Sequence, residues 1–236
     1  MTEIIQGSPE WLAMRCGFAT ASRFKDILAQ TKSGGYSTSR RNYMAQLVVE
    51  RLTGTVQPSY TNDAMKWGTE HEEEARQAYE ERIGQLVHTV PFVKHPLIEW
   101  VGCSPDALVD VDSTFIPGAI DDGGDGIAKI GAAEIKCPHE SAIHIERLTS
   151  GMEDSHLPQI QGLLWITGRS WCDFVSYDPR MPDPLKLYVQ RVDRDEKMIH
   201  SLNFAVCSFL SEVQNKIDEL HALAESRQSG KAMEEP

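Results

Sequence analysis

The segment "IGAAEIKC", residues 130–137, constrains the fold more than any other stretch of this chain. It is short, apolar and rich in small and β-branched residues, so it reads as a strand buried in a sheet. Yet it carries Glu134 and Lys136, separated only by Ile135. Successive strand side chains point to opposite faces, so Glu134 and Lys136 share one face and Ile135 turns into the core on the other. Unpaired charge in such a place is costly, so the face that holds this pair must supply a partner or a metal.

A second acid lies upstream in "GCSPDALV", residues 102–109, where Asp106 follows a bend at Pro105 and opens another strand, "DALVDV". If the two strands pair as a hairpin, Asp106 converges on Glu134. Two carboxylates make a hard oxygen site suited to Mg²⁺. A lysine beside them can orient or deprotonate an attacking water, while the metal neutralises charge on a phosphate. An edge-strand salt bridge would give the same three letters, and the pattern alone does not separate the two readings.

The rest of the chain supplies a frame for that site. Residues 20–30 read as a short helix with Phe24, Ile27 and Leu28 on one face, followed by a Gly/Ser loop over 31–39. "RRNYMAQLVVERLTG" shows helical spacing at Tyr43, Leu47 and Leu52 and closes at Gly54; "DAMKWGTEHEEEARQAYEERIG" closes at Gly84. Strands are expected in "LVHTVPFV", "EWVGCS", "WCDFVSYD" and "LKLYVQRV", and helices in "HESAIHIERLTSG" and after Pro158. From Asp193 to about Ala224 a long helix repeats Met198, Leu202, Val206, Phe209, Val213, Ile217 and Leu220 on one face, as core packing or a subunit contact. The expected architecture is α/β, a central mixed sheet flanked by helices. It forms a single domain over 1–225, with a Gly/Asp-rich loop insertion at about 112–129 and a disordered tail over 226–236. "DDGGDG" in that loop lacks the alternating ligands and terminal Glu of a calcium-binding EF-hand.

Bulk properties exclude several alternatives. No apolar run approaches the length of a membrane helix, and the N-terminus has no signal-peptide character, so a cytoplasmic protein is expected. The cysteines, Cys16, Cys103, Cys137, Cys172 and Cys207, are scattered singly, which fits free thiols rather than disulfides, zinc or an iron–sulfur cluster. The net charge of −12 opposes nucleic-acid binding unless basic groups are concentrated locally. Arg15, Arg23 and Lys25, then Lys32, Arg40 and Arg41, are the clusters that could line such a channel.

Asp106…Glu134-Ile135-Lys136 resembles the PD-(D/E)xK nuclease signature, and Pro105 completes it. More specifically, "WLAMRCGFATAS", "KWGTEHEEEAR", "GCSPDALV", "EIKCP", "PQIQGLLW" and "SYDPRM" occur in the order found in lambda exonuclease and related YqaJ-type phage recombination nucleases, over roughly residues 8–225. The resemblance implies a restriction-endonuclease-like core. It implies a Mg²⁺-dependent enzyme with two metals per site, Mn²⁺ being able to substitute. Such an enzyme digests linear double-stranded DNA from the 5′ end, releasing 5′-mononucleotides and leaving a 3′ overhang for strand annealing. It implies a ring-shaped homotrimer, a single-strand annealing protein as partner, and a phage or prophage gene in a bacterial host.

Site residues carry over block by block. Asp106 and Glu134 match the metal carboxylates, the Ile135 carbonyl a backbone ligand, and Lys136 the lysine that handles the nucleophilic water. Glu72 matches an acid beside the second metal and Gln159 an active-site glutamine. Arg15, Ser22 and Ser104 match the groups that receive the DNA 5′-phosphate. Most of these also have plainer readings. Glu72 sits among Glu70, Glu73 and Glu74 on what could be a solvated face; Arg15 could serve a surface ion pair; Ser22 could be an N-cap; Gln159 could cap its helix. His71 need only be exposed, and Trp67 and Trp165 read as core. The acid-to-acid loop is longer than the family leads one to expect. Rival readings are an endonuclease or repair nuclease on the same core, and a catalytically inactive DNA-end-binding module.

Overall fold

A computed structural model of the chain describes residues 4–58, 62–110 and 130–232. The Gly/Asp-rich insertion at 112–129 falls outside the described residues, as do 233–236. Among the described residues the main sheet has four strands in the order β4–β5–β6–β7: β4 (Ala107–Val109), β5 (Gly131–Lys136), β6 (Trp171–Tyr177) and β7 (Leu187–Asp193). β4 pairs antiparallel to β5, with Ala107 opposite Ala133; β5 runs parallel to β6, and β6 antiparallel to β7. The sheet is therefore mixed, and the expected hairpin pairing of the two acid-bearing strands is present.

A second, smaller sheet joins β1 (Ala19–Thr20), β3 (Val101–Cys103) and β2 (Val93–Lys94). β3 and β4 belong to different sheets, and Ser104-Pro105-Asp106 is the crossing between them. Proline cannot donate to a ladder, and here it marks the place where pairing changes sheet. Of "LVHTVPFV" only Val93 enters β2, and His88 makes an isolated bridge to Leu108.

The main sheet is covered on both faces. On one, α2 (Phe24–Leu28), α3 (Thr38–Thr53), α6 (Leu157–Thr167) and α7 (Glu196–Ala232) bury a core that includes Ala132, Cys172 and Phe174. On the other, α4 (Asp63–Ile83) packs Ala75 and Tyr79 against Ala107, Ala133, Ile135 and Val175. Alternation along β5 thus sends Ala132, Glu134 and Lys136 one way and Ala133 and Ile135 the other. α6 begins with Pro158 in its first turn and ends at Gly168 in the left-handed conformation, the expected punctuation of a helix. Its approach to α2 requires Gly162, where an added Cβ would sit 2.5 Å from the Phe24 ring.

Three further expectations change. Residues 20–30 split into a 3₁₀ turn over Ala21–Arg23 and α2. Leu52 is exposed, so the buried face of α3 is Tyr43, Leu47 and Val48. The long helix runs to Ala232 and takes in residues 226–232 of the expected tail, whose last residues, 233–236, lie outside the described residues. From Leu202 to Ile217 the apolar face of α7 lies in the core of its own chain. Among the described residues no helix is long and apolar enough to cross a membrane.

Candidate active site

One cleft of about 140 Å³ gathers most of the residues singled out by the sequence. Arg15, Ser22, Ser104, Asp106, Glu134, Lys136 and Gln159 all line it, with Gln6 and Trp11 added. They come from α1 (Pro9–Arg15) and the turn before it, the 3₁₀ turn, the sheet crossing, β5 and the first turn of α6. Segments more than a hundred residues apart therefore meet at one edge of the main sheet.

Glu134 is the centre of the arrangement and is 1% exposed. Its Oε1 accepts from the Lys136 ammonium and from Gln159 Nε2, the latter at 2.5 Å. Its Oε2 is buried and, among the described residues, accepts no hydrogen bond. A buried carboxylate oxygen without a partner is expensive to maintain, and it marks the position where a cation is wanted. Asp106 accepts from the backbone N–H of Ile135 at 2.7 Å, which ties the start of β4 to the end of β5. Burial, reinforced by the nearby Glu134 charge, raises the Asp106 carboxyl well above the usual range. Burial alone would lower the Lys136 pKa, but Glu134 and Asp106 outweigh it and raise it, so the ammonium stays charged.

Glu72 belongs to this charge cluster although it does not line the cleft. Burial raises its pKa; Lys136 opposes the rise and Glu134 adds to it. Its position on α4 explains why it differs from its neighbours. Glu72, Ala75 and Tyr79 are spaced i, i+3, i+7, which is the face turned to the sheet, and Ala75 and Tyr79 are fully buried. Glu70, Glu73 and Glu74 are exposed. That spacing was legible in the sequence and would have selected Glu72 without a family pattern. Among the described residues, no three His, Cys, Asp or Glu side chains converge into a metal cage on their own.

At the other end of the cleft, the Arg15 guanidinium lies 4.0 Å above the Trp11 ring and reaches Ser22 and Thr20 hydroxyls at 3.4 Å each. Burial lowers its pKa, with Tyr43, Cys103 and Glu50 opposing the shift. Among the described residues no carboxylate pairs with Arg15 within ion-pair distance, and its hydrogen-bond partners are hydroxyls. Ser104 Oγ accepts from Trp11 Nε1 at 3.1 Å, fixing Trp11 beneath the arginine. Ser22 sits inside the 3₁₀ turn rather than capping it. Not every basic residue expected to line a channel is available: Arg40 is 3% exposed and makes a two-pronged pair with Glu212.

The "SYDPRM" block contributes residues to which no role was assigned above. Asp178 is fully buried and held by Arg180, which also donates to the carbonyls of Pro138 and His139, just beyond Lys136. The same guanidinium lies 4.4 Å over the Trp67 ring on α4. Arg180 thus braces both the β5 exit that carries Lys136 and the helix that carries Glu72. Trp67 and Trp165 pack against the two cores as expected, while His71 stacks on Trp67 at 3.8 Å. All five cysteines are free, and Cys103, Cys137 and Cys172 are buried.

A mixed sheet with an acid at a hairpin strand start, an acid-x-lysine on the paired strand and a glutamine from the covering helix defines the class: a restriction-endonuclease-like PD-(D/E)xK nuclease core. The model of the YqaJ-like viral recombinase domain matches residues 10–170. The chain belongs to that family. It is similar to an alkaline exonuclease from Laribacter hongkongensis at 37% identity, covering 93% of this chain and 99% of that one, with a TM-score of 0.76. A second structure of that exonuclease, in complex with dAMP, matches at 38% identity over the same shares with a TM-score of 0.77. A phage-related exonuclease from Haemophilus somnus shares the fold at 15% identity, covering 86% of this chain and 96% of that one, with a TM-score of 0.62. No curated protein sequence matches.

Proposed function

We propose that this chain is a Mg²⁺-dependent exodeoxyribonuclease that digests linear duplex DNA from the 5′ end, releasing 5′-mononucleotides and leaving a 3′ single strand for recombination by annealing. The observation that carries this reading is the single cleft with an arginine–serine seat at one end and the Asp106–Glu134–Lys136 group at the other. The similarity to an alkaline exonuclease over nearly the whole chain supports it.

The residues fit a magnesium ion. The unpartnered Glu134 Oε2 and the neighbouring Asp106 offer hard oxygen ligands, and Mg²⁺ characteristically takes only one or two carboxylates, filling its shell with water and substrate phosphate. Asp106, Glu134 and the Ile135 carbonyl would hold it, with Glu72 beside a second ion. When bound, the metal lowers the pKa of water and offsets charge on the phosphate.

The chain's own groups do the rest. Arg15, Ser22 and Ser104 receive the terminal 5′-phosphate, a task that suits the forked donors of arginine. Lys136 orients the attacking water. Gln159 fixes Glu134 by its hydrogen bond. The phosphorus gains the water's hydroxyl, the 3′ oxygen leaves with a proton, and the shortened strand carries a new 5′-phosphate. A homotrimeric ring and a single-strand annealing partner complete the proposal; light scattering of the purified protein tests the ring.

Linear duplexes labelled at the 5′ or the 3′ end, incubated with and without Mg²⁺ and with and without a 5′-phosphate, test the activity. The 5′ label should be released first, only with metal, and fastest from phosphorylated ends. Release of the 3′ label first, or cutting of closed circles, would overturn the reading.

A further inference from the structure

The cleft is not the only cavity that Arg15 faces. A second chamber of about 310 Å³ lies behind it, and Trp11, Arg15 and Ser22 line both. Thr20, whose hydroxyl is the other one within reach of Arg15, lines the second chamber alone. Arg15 is therefore a shared wall, with its donors available to a phosphate approached from either side. A terminal phosphate held at this wall is a monoester. It is bonded to one nucleoside, in the cleft, and needs nothing behind it. The larger chamber has no use in that reaction.

Its volume is at the lower end of the range for small-molecule sites, and its walls suit a nucleoside. The Arg23 guanidinium lies 4.2 Å over Tyr43, which covers one of its faces, and the side chain remains 37% exposed. Bases stack on guanidinium planes as they do on aromatic rings. The chamber attracts little further anion. The Arg23 charge is matched by Asp26 at 2.5 Å, and the buried Glu50 is a wall residue. A neutral nucleoside fits this balance and an additional phosphate does not.

We propose that the chamber is a subsite for a nucleoside 5′ to the phosphate held by Arg15, and that through it the enzyme starts on ends that bear a 5′-hydroxyl. This rests on the reading of Arg15 and Ser22 as the phosphate seat. On a 5′-hydroxyl strand the first internucleotide phosphodiester occupies that seat, the first nucleoside enters the chamber, and the second lies in the cleft. Water adds its hydroxyl to the phosphorus of the next phosphodiester. The bond to the 3′ oxygen of the second residue breaks, and that oxygen takes the proton. The first product is a dinucleoside monophosphate with free 5′- and 3′-hydroxyls. The remaining strand carries a 5′-phosphate, and every later product is a mononucleotide.

The test is product analysis by mass spectrometry on duplexes that differ only in a 5′-hydroxyl or a 5′-phosphate, using the full-length protein and Mg²⁺. The dinucleoside monophosphate should appear from the hydroxyl end alone. Release of a lone nucleoside first, or no digestion of the hydroxyl end, overturns the proposal while leaving the exonuclease reading intact if phosphorylated ends are digested. Failure to digest phosphorylated ends from the 5′ side overturns the exonuclease reading itself. Val56→Trp fills the chamber from a wall residue that the cleft does not share. It should slow initiation at hydroxyl ends by roughly tenfold or more, the scale of steric discrimination in a pocket, with phosphorylated ends unchanged. Equal slowing of both overturns the assignment. Because the product analysis uses the parent protein, the outcome does not depend on how the variant folds.

Discussion

Glu134-Ile135-Lys136 and Asp178-Pro179-Arg180 are the same idea in charge, an acid and a base flanking one apolar residue. They also sit at the same end of neighbouring parallel strands, where Lys136 is opposite Ser176. Their surroundings make them opposites. Asp178 is saturated: Oδ1 accepts from the backbone and side chain of Arg180, Oδ2 accepts from the same guanidinium, and Ser141 contributes another bond. Against the cost of burial, those bonds hold its pKa down to about 2. Glu134 is buried as deeply but has one oxygen doubly bonded and the other bare, and its neighbour Asp106 is pushed upward by burial and by Glu134 itself. Satisfied charge is structure; unsatisfied charge held in place by its neighbours is a site awaiting a ligand.

That contrast can be broken in several ways. The largest effect should come from Lys136→Ala, which removes the group that handles water: turnover should fall by about 10²–10⁴-fold, the usual scale for a positioned proton-handling group, while DNA-end binding in a mobility-shift assay persists. Turnover equal to the parent's would remove Lys136 from the chemistry. Next, Arg180→Ala strands the buried Asp178 and should cost about 3 kcal/mol in chemical denaturation. A turnover loss with little change in KM should accompany it, because Pro138, His139 and Trp67 lose their brace. Free guanidinium should restore part of the turnover if the brace is what matters.

A smaller effect of opposite sign sharpens the comparison. In metal-free buffer at pH 8, Asp106→Asn should stabilise the fold by about 0.5–2 kcal/mol, as relief of a strained functional site does, whereas Asp178→Asn should destabilise it. A folded-state pKa raised above the unfolded one, as for Asp106, means stability that is present at low pH and lost as pH rises through the raised value. Asp178 is the reverse: its contribution is present above the ordinary value of 3.8 and lost as pH falls toward about 2. Acid unfolding should therefore show a component between about pH 4 and pH 2 that Asp178→Asn removes. If both substitutions shift stability in the same direction, the distinction drawn between the two triplets fails.

Legibility followed the range of the interactions involved. Period-two alternation placed Glu134 and Lys136 on one face and Ile135 on the other, and β5 shows both. Helix ends at Gly54 and Gly84 were readable because a left-handed terminal residue favours glycine. Gln159 and Gln161 were not distinguishable as letters. In the fold, Gln159 reaches Glu134, while Gln161 is buried and bonds the Asp193 carbonyl and the Asp195 amide, fastening α6 to the strand–helix junction. Asp178 and Arg180 could be noticed as a block but given no task, because their partners lie some forty residues away in sequence.

By itself, the sequence determined the local grammar: which segments are helix or strand, which face each residue takes, and which residue types can hold a metal and grip a phosphate. These are set by backbone sterics and side-chain periodicity within a few residues. Only the tertiary structure decided that β3 and β4 part into two sheets, that α1 and the 3₁₀ turn bring Arg15 and Ser22 to the same cleft as Asp106 and Glu134, and that a second chamber lies behind Arg15. Cavities and unpaired buried atoms arise from how distant surfaces pack, and no local pattern encodes the space left between them.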